Sequence, residues 1–465
     1  MKSLFLSPPG LRMMNPMTLE PDMLAPKTWV PLGIAALTSA MRAAGFEASM
    51  ADLHDAGWEE VEQLLAESDA DIVGVSCFTF GRANAMRTAA LARKVQPGAT
   101  VVAGGAHATF FSGQVLAGGD VDVVVLGEGE ATMVELAAAL ESGADLSSVP
   151  GIVYRQGGKT VATAHRPRTE NLDVFPVPAY DTFDLSLYKS PEIPDIFQNL
   201  PGTHVITSRG CPFKCEFCSV NRFFDGSWSF RSPAHVVDEL ELLAEQYGVR
   251  HVYFSDDLFS LLPERVIEIC KAIIDRRLEI VWMAETRVDC VDGEMLAWMR
   301  RAGCYRVYYG VESGSPKILR SINKRFTVDQ VAKAFALTHR AGIKPCCFLM
   351  VGNPGETPQT IIETVNLVNA IRPATMPTIG ITTILPGTSL YERSKRQGLI
   401  SDDYWLTDAV PPLYTGEYDV DGLIMLQLML TKGINPELYE QLCEMGFDEG
   451  YFRLRRIHSA NAMPA

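Results

Sequence analysis

Nowhere in the 465-residue chain do eighteen apolar residues run together, so no membrane-spanning helix is expected. The opening stretch, MKSLFLSPPGLRMM, has too short an apolar run before Pro8 and Pro9 for an export signal, and a cytoplasmic location is the expectation. Basic residues are in deficit: 41 Lys and Arg against 56 Asp and Glu give a formal charge of −15, a field that repels nucleic-acid phosphates. No G-x-G-x-x-G or Walker sequence follows the first expected strand, which disfavours a nucleotide fold. Internal repeats and low-complexity tracts are missing too. The 10 cysteines, in a chain expected to be cytoplasmic, read as thiols or metal ligands and not as a disulfide framework. What is present is the balance of a folded protein, 47% apolar and 21% charged, at a length that calls for two or three domains.

The first 140 residues alternate short β-branched runs with helical spacing. Strands are expected over 2–7, 47–52, 71–77, 100–105 and 121–127, and helices over 31–44 and 58–67. This α/β alternation predicts a doubly wound parallel sheet over 1–145, with its ligand outside the carboxyl ends of the strands, which carry SPPG, SCFTF, GGAHAT and GEGE. A hairpin turning at Gly157 and Gly158 and a proline-rich linker make up 146–200. The alternation then restarts, with strands over 203–208, 251–255, 280–285, 306–310, 344–351 and 379–385. Six such repeats predict a partial (β/α)6 TIM-like barrel over 201–395, with its chemistry on the loops after the strands. Residues 396–465 read as a small, mainly helical segment in which GLIMLQLML (422–430) is a buried core helix.

Within TSRGCPFKCEFCSV (207–220), Cys211, Cys215 and Cys218 stand in C-x3-C-x2-C spacing. Random placement of the cysteines gives roughly 0.005 such matches in a chain of this length, so the cluster is not an accident. Three thiolates are one ligand short of a closed zinc site, and an odd set for disulfides. An iron–sulfur cubane held by three thiolates keeps one iron open to an outside ligand. The other readings are a zinc site with a distant fourth ligand such as Cys304 or His251, and three ordinary core thiols.

RGCPFKCEFCS, following the first strand of a barrel-like repeat, resembles the motif of the radical S-adenosylmethionine (SAM) superfamily. The resemblance implies a [4Fe-4S] cluster on Cys211, Cys215 and Cys218, whose open iron chelates the methionine end of SAM, with Phe217 near the adenine. Other strand-end segments resemble the family's SAM contacts in barrel order, over roughly 202–391. FSDDLFS (254–260) implies that Asp256 or Asp257 meets the SAM amino group, and AETRVD (284–289) implies ribose or carboxylate contacts for Glu285 and Arg287. GVESGS (310–315) implies a SAM-contacting element led by Glu312, with Ser313, and VGNPGET (351–357) a glycine-rich turn near adenine at Gly352. Read as plain residues, an acidic pair before a helix also fits an N-cap or a solvated rim. An electron donor such as a flavodoxin or ferredoxin is an implied partner.

The preceding domain resembles the Rossmann-like cobalamin-binding domain of class B radical SAM proteins. This implies that Gly104, Gly105 and Gly127 let the backbone approach a corrin and that Ser76 contacts it or its tail; a degenerate domain holding no cofactor is the other reading. DLHDAG (52–57) spells the D-x-H-x-x-G of corrinoid domains in which histidine becomes the lower cobalt ligand. It follows the second strand and not the first, so His54 is expected as a strand-end or helix-start residue, with Asp52 or Asp55 capping and cobalamin bound without a histidine ligand. The function implied is methylation of an unactivated carbon of a small molecule, lipid or peptide. The alternatives are oxidative cyclisation or rearrangement without methyl delivery, and a non-catalytic corrinoid or iron–sulfur sensor. A methylthiotransferase is disfavoured, since the first domain contains only Cys77 and no basic RNA-binding module closes the chain.

Overall fold

Short β-branched runs buried along nearly their whole length set the first sheet. In the computed structural model, which describes residues 1–10, 12–13, 23–24, 29–188 and 201–444, helices cover both of its faces. Lys2–Ser7, Glu47–Asp52, Ile72–Ser76, Thr100–Gly104 and Val123–Val125 pair in parallel in the order second, first, third, fourth, fifth, and the antiparallel hairpin Ile152–Gln156 and Lys159–Ala162 extends the far edge. Phe5, Ile72, Val102 and Val123 face Leu32–Ala43 and Glu130–Ser142, while Leu4, Val73, Val101 and Ala103 face Trp58–Glu67 and Arg82–Val95. The order reverses between Lys2–Ser7 and Ile72–Ser76, which opens a crevice at their carboxyl ends. The fifth strand is shorter than expected because the Asp122 carboxylate accepts from Val101 N at 2.8 Å, so regular pairing begins at Val123.

In the second sheet Gly202–Val205, His251–Phe254, Val281–Thr286, Cys304–Glu312, Lys344–Val351 and Thr378–Ile381 pair in parallel in chain order, a partial barrel of six strands. Alternate side chains divide the labour. Val252, Phe254, Trp282, Val307, Tyr309 and Leu349 pack outward against the helices, while Tyr253, Met283, Tyr308 and Cys346 form a separate apolar cluster inside, with the Tyr308 ring stacked on Phe348 at 5.1 Å.

Two strands end earlier than their β-branched content suggests. The first stops at Val205 because Thr207 N donates to the Asp256 carboxylate at 3.1 Å, after which Ser208–Gly210 pairs antiparallel with Trp228–Phe230. The sixth stops at Ile381, where the chain turns to meet the carboxyl-terminal segment through Tyr414 N to Thr382 O and Ile384 N to Pro412 O, both 2.8 Å.

The proline-rich stretch is packed, as the buried Tyr180 illustrates by donating its hydroxyl to Glu239 at 2.7 Å. Residues 189–200 of the expected linker and 445–465 of the expected terminal segment lie outside the described residues. The helix Val420–Ile434 buries Leu426 and Leu430 in the barrel's core, as read from GLIMLQLML. The Arg82 guanidinium, from the first domain, donates to the carbonyls of Trp405, Thr407 and Ala409 and so fastens the terminal segment to that domain. Among the described residues no helix is long and apolar enough to cross a membrane. Tyr180→Phe strands one oxygen of the buried Glu239; the urea unfolding midpoint is expected to drop by the equivalent of about 1–3 kcal/mol, and an unshifted midpoint contradicts the packing described.

Candidate active site between the two sheets

The cysteine loop departs from the short antiparallel ladder at Gly210, where φ is +86° and a Cβ would collide with the Ser227 carbonyl. Its shape is fixed from several sides. Asn221 Nδ2 donates to Cys211 O at 3.0 Å, Cys218 N to Cys215 O at 3.2 Å, and Glu216 N to Ile322 O at 3.0 Å. Asp256, 2% exposed, accepts from Thr207 N at 3.1 Å, from Thr207 Oγ1 at 2.8 Å and from Ser208 Oγ, while Arg265 Nη2 donates to Thr207 O at 2.8 Å. The acidic pair is therefore divided: Asp256 turns inward and holds the loop, and Asp257, which accepts from Gly210 N at 2.9 Å, lines the cavity. Burial raises the Asp257 carboxyl to about 6.

Burial also pushes the Cys218 thiol up to about 12. Among the described residues no three His, Cys, Asp or Glu side chains are gathered closely enough to hold a single metal ion, as zinc–sulfur bonds of about 2.3 Å demand. The remote zinc ligands considered from sequence do not approach either. Cys304 and His251 begin their strands at the opposite, amino end of the barrel, where His251 Nε2 shares a 2.7 Å hydrogen bond with the Tyr305 hydroxyl. Three thiols spread along one loop suit the separate corners of a cubane, and Arg287 Nη1, 3.8 Å from Cys215 Sγ, supplies a cation beside it.

Of the other strand-end residues, Arg287 reaches this loop directly and Glu312 reaches it through Lys324. Glu285 lies near the carboxyl end of Val281–Thr286. Arg287 is clamped by Asp289 at 2.9 and 3.0 Å and by Lys324 O at 2.7 Å, and its guanidinium lies 3.6 Å over the Phe213 ring. Glu312 adopts φ +66° and accepts from Lys324 Nζ at 2.8 Å, a pair with both partners buried. Ser313 Oγ shares a 3.2 Å hydrogen bond with Thr364 Oγ1, and Gly352 adopts φ +76° against Leu423. Phe217 packs with the cluster of Tyr391 and Trp405, its ring 5.5 Å from the Lys324 ammonium. Lys324 escaped the sequence reading because nothing in a lone lysine twelve positions after Glu312 announces their pairing.

Facing the loop are the carboxyl ends of the third, fourth and fifth strands of the first sheet. A cavity of about 450 Å³ lies between them, walled on one side by Ser76, Gly104, Gly105 and Gly127 and on the other by Ile206, Arg209, Val220 and Phe223. Gly105, at φ +104°, would bring a Cβ to 2.9 Å from the Cys77 carbonyl, so this wall stays flat only with glycine. That flat, largely apolar wall fits a corrin. Arg209 spans the gap, donating from Nη1 to Glu128 at 3.0 Å and from Nη2 to Glu130 at 2.6 Å. RGC and GEGE were each legible in the sequence; that they form one ion triple was not. His54 stands at the end of the edge strand, Nδ1 2.9 Å from Asp55, N donating to Asp52 Oδ1 at 3.2 Å and its ring against Gly10, outside the residues that line the cavity. Asp256→Ala removes the acceptor for three donors of the loop, and iron bound per chain after anaerobic reconstitution is expected to fall severalfold; full iron loading overturns the anchoring role.

The sequence profile of the Radical SAM superfamily matches residues 205–368, and that of the B12 binding domain matches residues 25–137. An uncharacterized methyltransferase of Pyrococcus horikoshii is 32% identical over 381 residues, 81% of either chain. An anaerobic magnesium-protoporphyrin IX monomethyl ester cyclase of Rubrivivax gelatinosus is 32% identical over 352 residues, covering 72% of this chain and 61% of that one. The solved structure of the radical SAM methyltransferase TsrM from Kitasatospora setae, with cobalamin and a [4Fe-4S] cluster bound, superposes with a TM-score of 0.70 at 20% identity, over 85% of this chain and 75% of that one. The chain thus belongs to the radical SAM superfamily, in the group that joins a B12-binding domain to the radical SAM barrel and draws on a [4Fe-4S] cluster, SAM and cobalamin.

Proposed function

We propose that the chain is a cobalamin-dependent radical SAM methyltransferase that methylates an unactivated carbon of a small-molecule substrate. The observation that carries this reading is the cavity in which glycine-lined strand ends of one domain oppose residues flanking the cysteine loop of the other. When bound, the cluster with SAM supplies a 5′-deoxyadenosyl radical and cobalamin supplies the methyl group. The chain's own part is to place these groups face to face and keep water out. In this reading Cys211, Cys215 and Cys218 hold the cluster, and Asp257, Glu285, Arg287, Glu312, Ser313 and Gly352, with Phe217 at the adenine, hold SAM. Asp256 contributes through the loop it anchors and not by direct contact. Gly104, Gly105 and Gly127 admit the corrin, and Ser76 meets it or its tail. Arg209, bound to Glu128 and Glu130, keeps the two walls in register. The apolar cluster of Tyr253, Met283, Tyr308 and Cys346 fills the inside of the barrel, which favours a desolvated radical.

A second reading, oxidative cyclisation without methyl delivery, is favoured by the Rubrivivax cyclase relative. One assay separates them: reduced holoenzyme with methyl-labelled SAM and a small-molecule extract of the host cell. Label in a product together with released 5′-deoxyadenosine is expected; 5′-deoxyadenosine with an unlabelled product decides for the cyclase reading, and no reductant-dependent 5′-deoxyadenosine leaves a sensor. Cobalamin is expected to bind without His54 as a ligand, so the cobalt absorption and paramagnetic resonance spectra of His54→Ala should match those of the unaltered protein. Loss of a nitrogen-ligand signal in that variant refutes this part.

A further inference from the structure

The glycines of the cavity wall differ in what stands where a side chain would be. A Cβ on Gly104 would have its nearest neighbours, atoms of Val125, at 4.0 Å. Gly127 has no such room. At its φ of +67° a Cβ would collide with Arg168 Nη1 and come to 3.0 Å from Arg168 Cζ and 3.1 Å from Nη2. The space left by the missing side chain is therefore filled by a guanidinium from the linker, which stands outside the residues that line the cavity. The other groups of Arg168, whose side chain is 14% exposed, are engaged as well. Nε donates to Asp225 Oδ2 at 3.1 Å, Nη2 donates to Phe223 O, and Cζ lies 5.5 Å from the ring centres of both Phe223 and Phe224. Phe223 ends the short helix Val220–Phe223 that follows Cys218, and both rings line the cavity. One residue further along the linker, Thr169 N donates at 3.3 Å to Glu128, the acid that also takes Arg209. Linker, GEGE turn and the segment after the cysteines thus converge on one guanidinium.

We infer that Arg168 is a positioning residue that fixes the distance between the two walls of the cavity, and that position 127 is glycine to admit its guanidinium as well as to present bare backbone to the cavity. The inference rests on the cobalamin reading above only for what the cavity holds. Charge alone does not explain the arrangement, because Nη2 meets a neutral carbonyl and Nη1 lies against a residue with no side chain. Shape does. A planar fork can hold a carboxylate, a carbonyl and two aromatic rings on one side while its edge abuts the glycine on the other. Any side chain at position 127 pushes that edge away, and Phe223 and Phe224 move with it.

The test is a double-mutant cycle in the full-length chain, with Gly127→Ala, Arg168→Ala and the two together. It is read as the urea midpoint of the cofactor-free chain and as the affinity of the cluster-loaded chain for hydroxocobalamin, followed by its absorbance. Alanine at a positive φ is strained in either background, so that strain cancels in the cycle. Gly127→Ala is expected to weaken hydroxocobalamin about tenfold or more when Arg168 is present and at most about threefold when residue 168 is alanine. The urea midpoint should likewise fall further in the presence of Arg168. Arg168→Lys should bind hydroxocobalamin as weakly as Arg168→Ala, since one ammonium cannot reproduce the fork. Should Gly127→Ala fail to fold, adding Arg168→Ala is expected to restore soluble protein. Equal losses from Gly127→Ala in the two backgrounds, no rescue of an unfolded Gly127→Ala, or parental affinity in Arg168→Lys each overturn the proposal. A parent chain that binds no hydroxocobalamin refutes the cobalamin reading instead, and the urea cycle then decides the placement of Arg168 by itself.

Discussion

The Asp256 carboxylate accepts from Thr207 N and from the hydroxyls of Thr207 and Ser208, and the rest of the site depends on that capture. It ends the first barrel strand at Val205 and redirects the chain into the short ladder from which the cysteine loop departs. A carboxylate 2% exposed costs free energy to bury, and burial alone raises its affinity for a proton. Three donors and the nearby Arg265 offset that cost at one place only, so the loop has one low-energy position. The geometry of the three thiols is thus set by a residue that sits on the next strand's end and touches none of them.

A second constraint joins the domains. Arg209 lies beside the first cysteine, and its two acidic partners, Glu128 and Glu130, are 9% and 5% exposed. Buried charge of this kind adds little net stability when paired and is expensive when a partner is lost. Its value is directional: two acids on one turn and a forked guanidinium on the other accept a single relative orientation of the walls. The flat glycine wall and the cysteine loop are held at a fixed separation by chemistry that belongs to neither cofactor.

Most of the fold was legible because both sheets are buried on two faces and read as continuous β-branched runs, with glycine at the turns. The three cysteines were legible for a different reason, since their spacing is too improbable to be packing. At two places where the reading ran past the structure, a side chain had replaced a ladder bond, Asp122 at Val101 in the fifth strand and Asp256 at Thr207 in the first barrel strand. The sixth barrel strand gives way instead to main-chain bonds with the carboxyl-terminal segment. Spacing could not tell Asp256 from Asp257, because adjacent residues at a strand end face opposite ways and only packing decides which one is inside. Pairings across long sequence separations, such as Arg209 with Glu130 and Lys324 with Glu312, leave no local trace at all.

The latch formed by Arg82 donates to main-chain oxygens, those of Trp405, Thr407 and Ala409, with its guanidinium 5.2 Å over the Trp405 ring. Such a grip is blind to side-chain identity at positions 407 and 409. Those two positions are therefore free to drift in composition without disturbing how the two halves are clasped.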